Sequence, residues 1–297
     1  MKTIVIGMGV QGNKRKKFLG KNFVASVDKY KKAKYRNIKE VPLSIYDSAY
    51  ICTPDDQKKS LIRYLIDNKK NILVEKPFIG LEKNLKMINK IIKKNKSFFY
   101  TAYNHRFEPS LIKLQKIIKN KQLGKIYYFK IFYGNGTSYL VKKSLWRDQK
   151  QGIISDLGSH LIDMCLYLFN KPIDKIKILS SNKFENKSPD YALISLKIGK
   201  ILVVLEMTYT MWKNSFFLDV IGSKGSAHIH SLCKWSKSSL SLRKRKFPSG
   251  LPKEKKFFFK KGDPTWKLEN DFVKKNLKNK KFFNIDKDIK INKLLQK

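Results

Sequence analysis

Thr3-Ile4-Val5-Ile6-Gly7-Met8-Gly9-Val10-Gln11-Gly12 decides the fold of this 297-residue chain. Its first four residues are all β-branched and end at a glycine. Such a run reads as a strand buried on both faces, as in a parallel sheet. Residues 10–19 continue as a helix. Working outward, further strands are expected over 23–27, 48–52, 72–74 and 98–103. Helical spacing lies between them over 57–68, with Leu61, Ile62, Leu65 and Ile66 on one side, and over 85–94. Strands alternating with helices at this spacing give βαβ units and a doubly wound parallel sheet.

The pattern changes near Tyr103. Helices are expected over 108–120 and 154–169, and a long alternating strand over 126–134. Strands over 176–184, 191–198, 201–210 and 216–221 follow, with a tight hairpin turn at Lys197-Ile198-Gly199-Lys200-Ile201. Hairpin-joined strands form an antiparallel sheet. Residues 236–261 are basic, carry Pro248, Gly250 and Pro252, and read as hairpins or an exposed excursion. A helix begins near Thr265. The expected division is 1–104 and 105–297.

The glycines suit a dinucleotide. A pyrophosphate must approach backbone amides at a helix N-terminus. Gly7 permits the tight turn, Gly9 the close approach and Gly12 the helix–strand packing. Asp28 ends the next strand, at close to the ~20-residue spacing of an acid that accepts the ribose hydroxyls. That acid favours NAD, with NADP left open by Lys29, Lys31 and Lys32 just beyond. Thr53-Pro54 closes the third strand, where it can line the same crevice.

Two further groups sit where chemistry can occur. Val74-Glu75-Lys76-Pro77 ends the apolar strand at 72–74, so Lys76 lies at the carboxyl edge of the sheet, the side on which open α/β sheets bind ligands. Asp156 and His160 are one helical turn apart. A carboxylate beside a histidine orients it and favours its charged form, which suits proton transfer. Gly152 and Gly158 flank Asp156 and allow close approach of a substrate or cofactor.

Composition narrows the field. The net charge of +42 comes from 65 Lys and Arg against 23 Asp and Glu, but only seven are Arg. Arginine is the preferred residue for bidentate phosphate and base recognition. Lysine spread along the whole chain reads as compositional bias, so no specific nucleic-acid partner is expected. Arg243-Lys244-Arg245 and residues 255–261, where lysines bracket three phenylalanines, carry the weaker nucleic-acid reading. Cys52, Cys165 and Cys233 are widely spaced and suggest neither a zinc site nor a disulfide framework. No metal site is expected. With no signal peptide and no apolar run of membrane length, a cytoplasmic location is expected, with no membrane partner.

The motifs Gly7-Met8-Gly9-Val10-Gln11-Gly12, Thr53-Pro54, Val74-Glu75-Lys76-Pro77, Tyr103-Asn104-His105-Arg106-Phe107 and 152–163 occur in that order. The chain thereby resembles the glucose–fructose oxidoreductase/inositol dehydrogenase (Gfo/Idh/MocA) family. Ile221-Gly222-Ser223-Lys224-Gly225-Ser226 resembles that family's glycine turn in the second domain. The resemblance implies an N-terminal Rossmann domain and a C-terminal α+β domain with a large, mostly antiparallel open sheet, often used to form homodimers or homotetramers. It implies NAD(P)-dependent hydride transfer at a secondary alcohol or ketone carbon of a sugar, cyclitol or nucleotide sugar. The cofactor would meet Gly7, Gly9, Val10, Gln11, Gly12, Asp28, Thr53, Pro54, Glu75, Lys76 and Asn104. Lys76 would hold the reacting hydroxyl, His160 would shuttle its proton, and Asp156 would orient His160 or contact substrate. Asn104, Arg106 and Arg147 would line the substrate pocket. Two features depart from the family pattern: Lys58 stands where a histidine is frequent, and Gly152 replaces a longer glycine run. A cofactor-binding regulator without turnover is the alternative.

Overall fold

The computed structural model describes residues 1–76, 82–144, 147–279 and 285–295. They form two units. One is Met1–Asn104 with Thr265–Lys293, the other His105–Pro264 with Leu294 and Leu295.

The first unit opens with β1 (Thr3–Ile6), α1 (Val10–Leu19), β2 (Phe23–Val27), β3 (Ser48–Ile51), α2 (Asp55–Asp67), β4 (Asn71–Glu75), α3 (Glu82–Asn95) and β5 (Phe99–Ala102). The strands pair in parallel in the order β2-β1-β3-β4-β5. Every residue of β1, β3 and β5 is buried, as covering on both faces requires. Ile62, Leu65 and Ile66 of α2 and Leu85, Ile88 and Ile92 of α3 pack on Ile4, Ile51 and Val74 of the sheet. The chain leaves β1 for β2 on one side and returns to β3 on the other. The ends of β1 and β3 therefore flank a topological switch point, where ligands bind in such sheets.

The second unit contains α4 (Pro109–Lys119), β6 (Ile126–Gly134), α5 (Ser138–Lys142) and α6 (Ser159–Phe169), then β7 (Lys175–Asn182), β8 (Tyr191–Ile198), β9 (Ile201–Thr208), β10 (Ser215–Gly222), β11 (Gly225–His230), β12 (Ser238–Lys244) and β13 (Lys253–Phe259). The eight strands run β13-β12-β11-β10-β6-β9-β8-β7. Adjacent strands are antiparallel except β6 and β9. Hairpin logic alone would set β9 beside β10. Instead β6 inserts between them, because it enters from α4 and pairs with both. Alternation sets the buried face: Phe216, Leu218 and Val220 point inward from β10, and Ile131 and Tyr133 from β6. The expected turn at Gly199 is present, with Ile198 opposite Ile201 and Gly199 at φ +59°.

The basic stretch 236–261 folds as the β12–β13 hairpin, with Ser238 opposite Phe259 and Lys244 opposite Lys253. β13 is an edge strand, and exposed lysines are a common way to keep such an edge from pairing with another chain. The tail forms α7 (Pro264–Lys278) and α8 (Asp286–Leu295), most of which belongs with the first unit. Among the described residues, no helix is long and apolar enough to cross a membrane.

Candidate active site

The loop after β1 has three glycines with different physical reasons. Gly7 has φ +91°, a region that disfavours side chains, and a Cβ there would lie 2.8 Å from the Cys52 carbonyl carbon. A Cβ on Gly12 would lie 1.9 Å from the Gly7 carbonyl oxygen. These two are internal packing requirements. Gly9, the N-cap of α1, has ordinary φ (−72°), and a Cβ there would meet only the Lys31 ammonium, at 4.0 Å. A side chain on Gly9 would therefore fill open space beside a helix N-terminus and a cation, which fits a pyrophosphate cradle. Val10 and Gln11 begin α1 and are exposed.

Asp28 closes this loop onto β2. Its Oδ2 accepts from the Met8 N–H at 2.6 Å, and its Oδ1 accepts from the Tyr30 and Lys31 N–H groups at 2.8 Å each. Burial works to raise its pKa, but the Lys31, Met8 and Tyr30 amides outweigh burial and hold the carboxyl below its ordinary value. Asp28 is thus a fixed anion next to the cradle. Thr53, at the end of β3, has a buried hydroxyl with no hydrogen-bond partner among the described residues, and Pro54 caps α2. A buried hydroxyl costs free energy unless satisfied.

The end of β4 is held by charge. The Glu75 carboxylate accepts from Arg15 Nε at 2.8 Å, and Glu269 of α7 accepts from Arg15 Nη1 at 2.6 Å. Trp266 of α7 lies under the guanidinium, 4.4 Å from its ring centroid. Burial works against the Arg15 charge, but Glu269 and Glu75 reverse the effect and raise its pKa. Glu75 therefore anchors the strand end. Lys58, the departure from the family pattern, is buried on α2. It donates to Asp55 Oδ1 and to the Glu75 carbonyl oxygen, each at 2.6 Å. Burial lowers its pKa, offset in part by Asp55. Lys76 follows directly and is half-buried. Asn104 donates from its side chain to Thr265 Oγ1 at 3.1 Å.

In the second unit the expected helix over 154–169 begins as a wide π-helical turn, Ile154–Gly158, before α6. Such insertions concentrate at functional sites. Asp156 sits in that turn. Its Oδ2 accepts from Arg147 Nη2 and from the Tyr209 hydroxyl, each at 2.8 Å. Burial and the Asp156 charge raise the Tyr209 pKa well above its ordinary value, so the phenol stays a donor. Gly152 has φ +45°, and a Cβ there would lie 2.4 Å from the Pro189 carbonyl oxygen. That close approach is made by the chain itself. Arg106 lays its guanidinium along both oxygens of Asp163. His160 is buried at the start of α6, with its Nδ1 3.1 Å from Nδ1 of the buried His105.

Sequence reading gave no role to Arg15, His105, Tyr209 or Glu269, and named Lys58 only as a departure from the family pattern. One signal was present. In a chain so rich in lysine, arginine marks positions that need a planar fork or a permanent charge. Five of the seven, Arg15, Arg63, Arg106, Arg147 and Arg243, are paired with carboxylates.

Residues 3–103 match the family model described as oxidoreductase family, NAD-binding Rossmann fold, and residues 111–228 match the GFO/IDH/MocA C-terminal domain. The two cover most of the chain in the order that the fold requires. The chain belongs to the GFO/IDH/MocA oxidoreductase family. It is 23% identical over 199 residues to glucose-6-phosphate 3-dehydrogenase of Bacillus subtilis (strain 168), a match covering 65% of this chain and 54% of the relative. The chain spans about half the length of the curated relatives it matches first. Among solved structures it resembles levoglucosan dehydrogenase in complex with NADH, with TM-score 0.86 at 15% identity, covering 100% of this chain and 95% of that one. It also resembles an oxidoreductase from Agrobacterium radiobacter in complex with NAD+, L-tartaric acid and magnesium, with TM-score 0.84 at 13% identity, covering 100% and 94%. These two likenesses establish the fold.

Proposed function

We propose that the chain is an NAD(P)-dependent oxidoreductase acting at a secondary alcohol or ketone carbon of a sugar, cyclitol or nucleotide sugar. The observation that carries this reading is the open space at Gly9, at the N-terminus of α1, with the Lys31 ammonium at its edge and Asp28 fixed beside it. Gly7, Gly9, Val10, Gln11 and Gly12 would hold the pyrophosphate. Asp28 would accept the ribose hydroxyls, which favours NAD over NADP. Thr53 and Pro54 would line the crevice. A bound nicotinamide would supply or accept the hydride.

The remaining work falls to side chains. Lys76 would hold the reacting oxygen through its ammonium. His160 would give or take the proton on that oxygen. Asp156, held by Arg147 and Tyr209, would orient His160 or contact substrate. Arg106 and Asn104 would shape the pocket from their anchored positions. The name of the Bacillus relative, a dehydrogenase of a sugar phosphate, supports a polyhydroxylated substrate.

The open face of the eight-stranded sheet supports a homodimer or homotetramer. Phe132, Phe217 and Met211 lie there among Lys130, Glu206 and Asp219 around a shallow cavity of about 490 Å³. A screen of NAD and NADP against sugars, cyclitols and nucleotide sugars, read at the nicotinamide absorbance, tests the activity. Turnover with at least one polyol class is expected. Nucleotide binding without turnover across all classes would favour the regulator instead.

A further inference from the structure

Lys58 lies in the first turn of α2, on the buried stripe that Ile62, Leu65 and Ile66 continue at helical spacing. It is 2% exposed, and among the described residues it is the only buried lysine. Burial disfavours its charge. A lysine on a core-facing stripe is costly unless its head group is hydrogen-bonded and paired. Its Nζ donates to Asp55 Oδ1 and to the carbonyl oxygen of Glu75, each at 2.6 Å. The Asp55 bond is local to α2. The second bond ties the helix to the end of β4, seventeen positions on.

Glu75 is the last residue of β4, and its carbonyl is half of the peptide bond to Lys76. A peptide is planar, so a fixed oxygen sets the direction of the next N–H and the place of the next Cα. The pairing of β4 with β3 ends one residue earlier, at Val74 opposite Ile51. The Glu75 side chain is held separately by Arg15. The residue before Lys76 is thereby fixed through both its side chain and its main chain. A lysine ammonium sits on a long flexible stem, so a tilt of its backbone is carried outward to the charge.

We propose that Lys58 is a positioning residue that sets the peptide before Lys76, so that the Lys76 ammonium meets the reacting oxygen in a fixed place. The proposal rests on the reading of Lys76 as the group that holds that oxygen. An ammonium suits the task because it is a donor only, with several N–H groups that can serve a carbonyl and a carboxylate at once. No bond of the substrate forms or breaks at Lys58. It enters the rate through Lys76.

A double-mutant cycle separates this role from ordinary support of the fold. Lys58→Met keeps a long side chain and loses its donors. In the parent protein it should lower kcat by roughly 10–10²-fold, the cost of displacing a reacting group by about 1 Å. In Lys76→Ala it should change the residual rate by no more than about 2-fold, because nothing is left for it to place. The hydrogen bond has its own readout. The chain has three Glu-Lys dipeptides, at 75–76, 82–83 and 254–255, so protein labelled with ¹³C at glutamate carbonyls and ¹⁵N at lysine gives three carbonyl–amide correlations. Lys58→Met should move the Glu75 carbonyl signal to higher field, as loss of a hydrogen bond does, and leave the other two in place. Should Lys58→Met not fold, Lys58→Gln, with a shorter side chain and no charge, carries the same measurements. A parent-like kcat in the Lys58 variant would overturn the proposal. So would an equal fold loss in both backgrounds, which marks a structural residue, or an unmoved Glu75 carbonyl. Full turnover of Lys76→Ala would overturn the reading of Lys76 and this proposal with it. Loss of turnover there, with equal losses from the Lys58 variant in both backgrounds, would overturn this proposal alone.

Discussion

The loop after β1 and the polar cluster around α6 are built in opposite ways. The loop is backbone: Gly7 and Gly12 are dictated by atoms within 3 Å of where a side chain would start, and the groups it would offer a ligand are amides. The cluster is side chain on side chain. Asp156 meets Arg147 nine positions back and Tyr209 fifty-three positions on, and His160 meets His105 fifty-five positions back. A backbone site can be written into ten consecutive residues. A side-chain site is assembled by the fold, and each member depends on the others for its orientation. The difference predicts separable defects: binding should fail in the loop, and chemistry in the cluster.

The largest effects should therefore be pure rate effects. His160→Ala and Lys76→Ala should each lower kcat by ~10²–10⁴-fold, the worth of a placed proton carrier, while NADH affinity in a fluorescence titration stays close to the parent's. Parallel loss of affinity would merge the two regions into one. Next in size is the anchor of β4. Glu269→Ala removes one carboxylate from the buried Arg15, and breaking a buried pair costs ~3–5 kcal/mol. Urea unfolding should show that loss, and a change under 1 kcal/mol would mean that Glu75 and Trp266 suffice.

Asp28 gives a smaller effect with a definite sign. Its folded pKa is depressed. It therefore contributes stability above its unfolded value of about 4, and that contribution is lost as pH falls through the folded value. Asp28→Asn should flatten the acid limb of the stability curve and weaken the preference for NAD over NADP. An unchanged acid limb would show that the three amides do not favour its charge. The smallest effect is expected at Tyr209→Phe. Losing one hydrogen bond to Asp156 should cost ~0.5–1.5 kcal/mol, seen as a few-fold drop in kcat/KM with the fold intact.

Legibility in the sequence follows the same division. The parallel sheet, the order of motifs and the place of Asp28 at the end of β2 were readable because period, turn chemistry and short spacing are local properties. The insertion of β6 between β9 and β10 was not, since it pairs strands far apart in the chain, with residue 134 opposite residues 208 and 215. Lys76, Asp156 and His160 could be named from motifs. Their partners could not, because Tyr209 and His105 carry no local sign of what they touch. The anchoring of Glu75 was hidden for the same reason: the arginine that holds it lies sixty residues earlier. The π-helical turn under Asp156 has no periodic signature at all.

The most direct test of the account is NADH affinity in Gly9→Val. The backbone at Gly9 is extended at ordinary φ, and a side chain there meets nothing closer than the Lys31 ammonium at 4.0 Å. The fold should tolerate the change at about 1 kcal/mol or less, the scale of a helix N-cap. The cradle should not. Displacing a pyrophosphate from two amides at ~1.5–3 kcal/mol each should weaken calorimetric binding by ~10²-fold or more, at nearly unchanged melting temperature. Parent-like affinity for NADH in folded Gly9→Val would contradict the account, because the nucleotide would then have to bind somewhere other than the loop after β1.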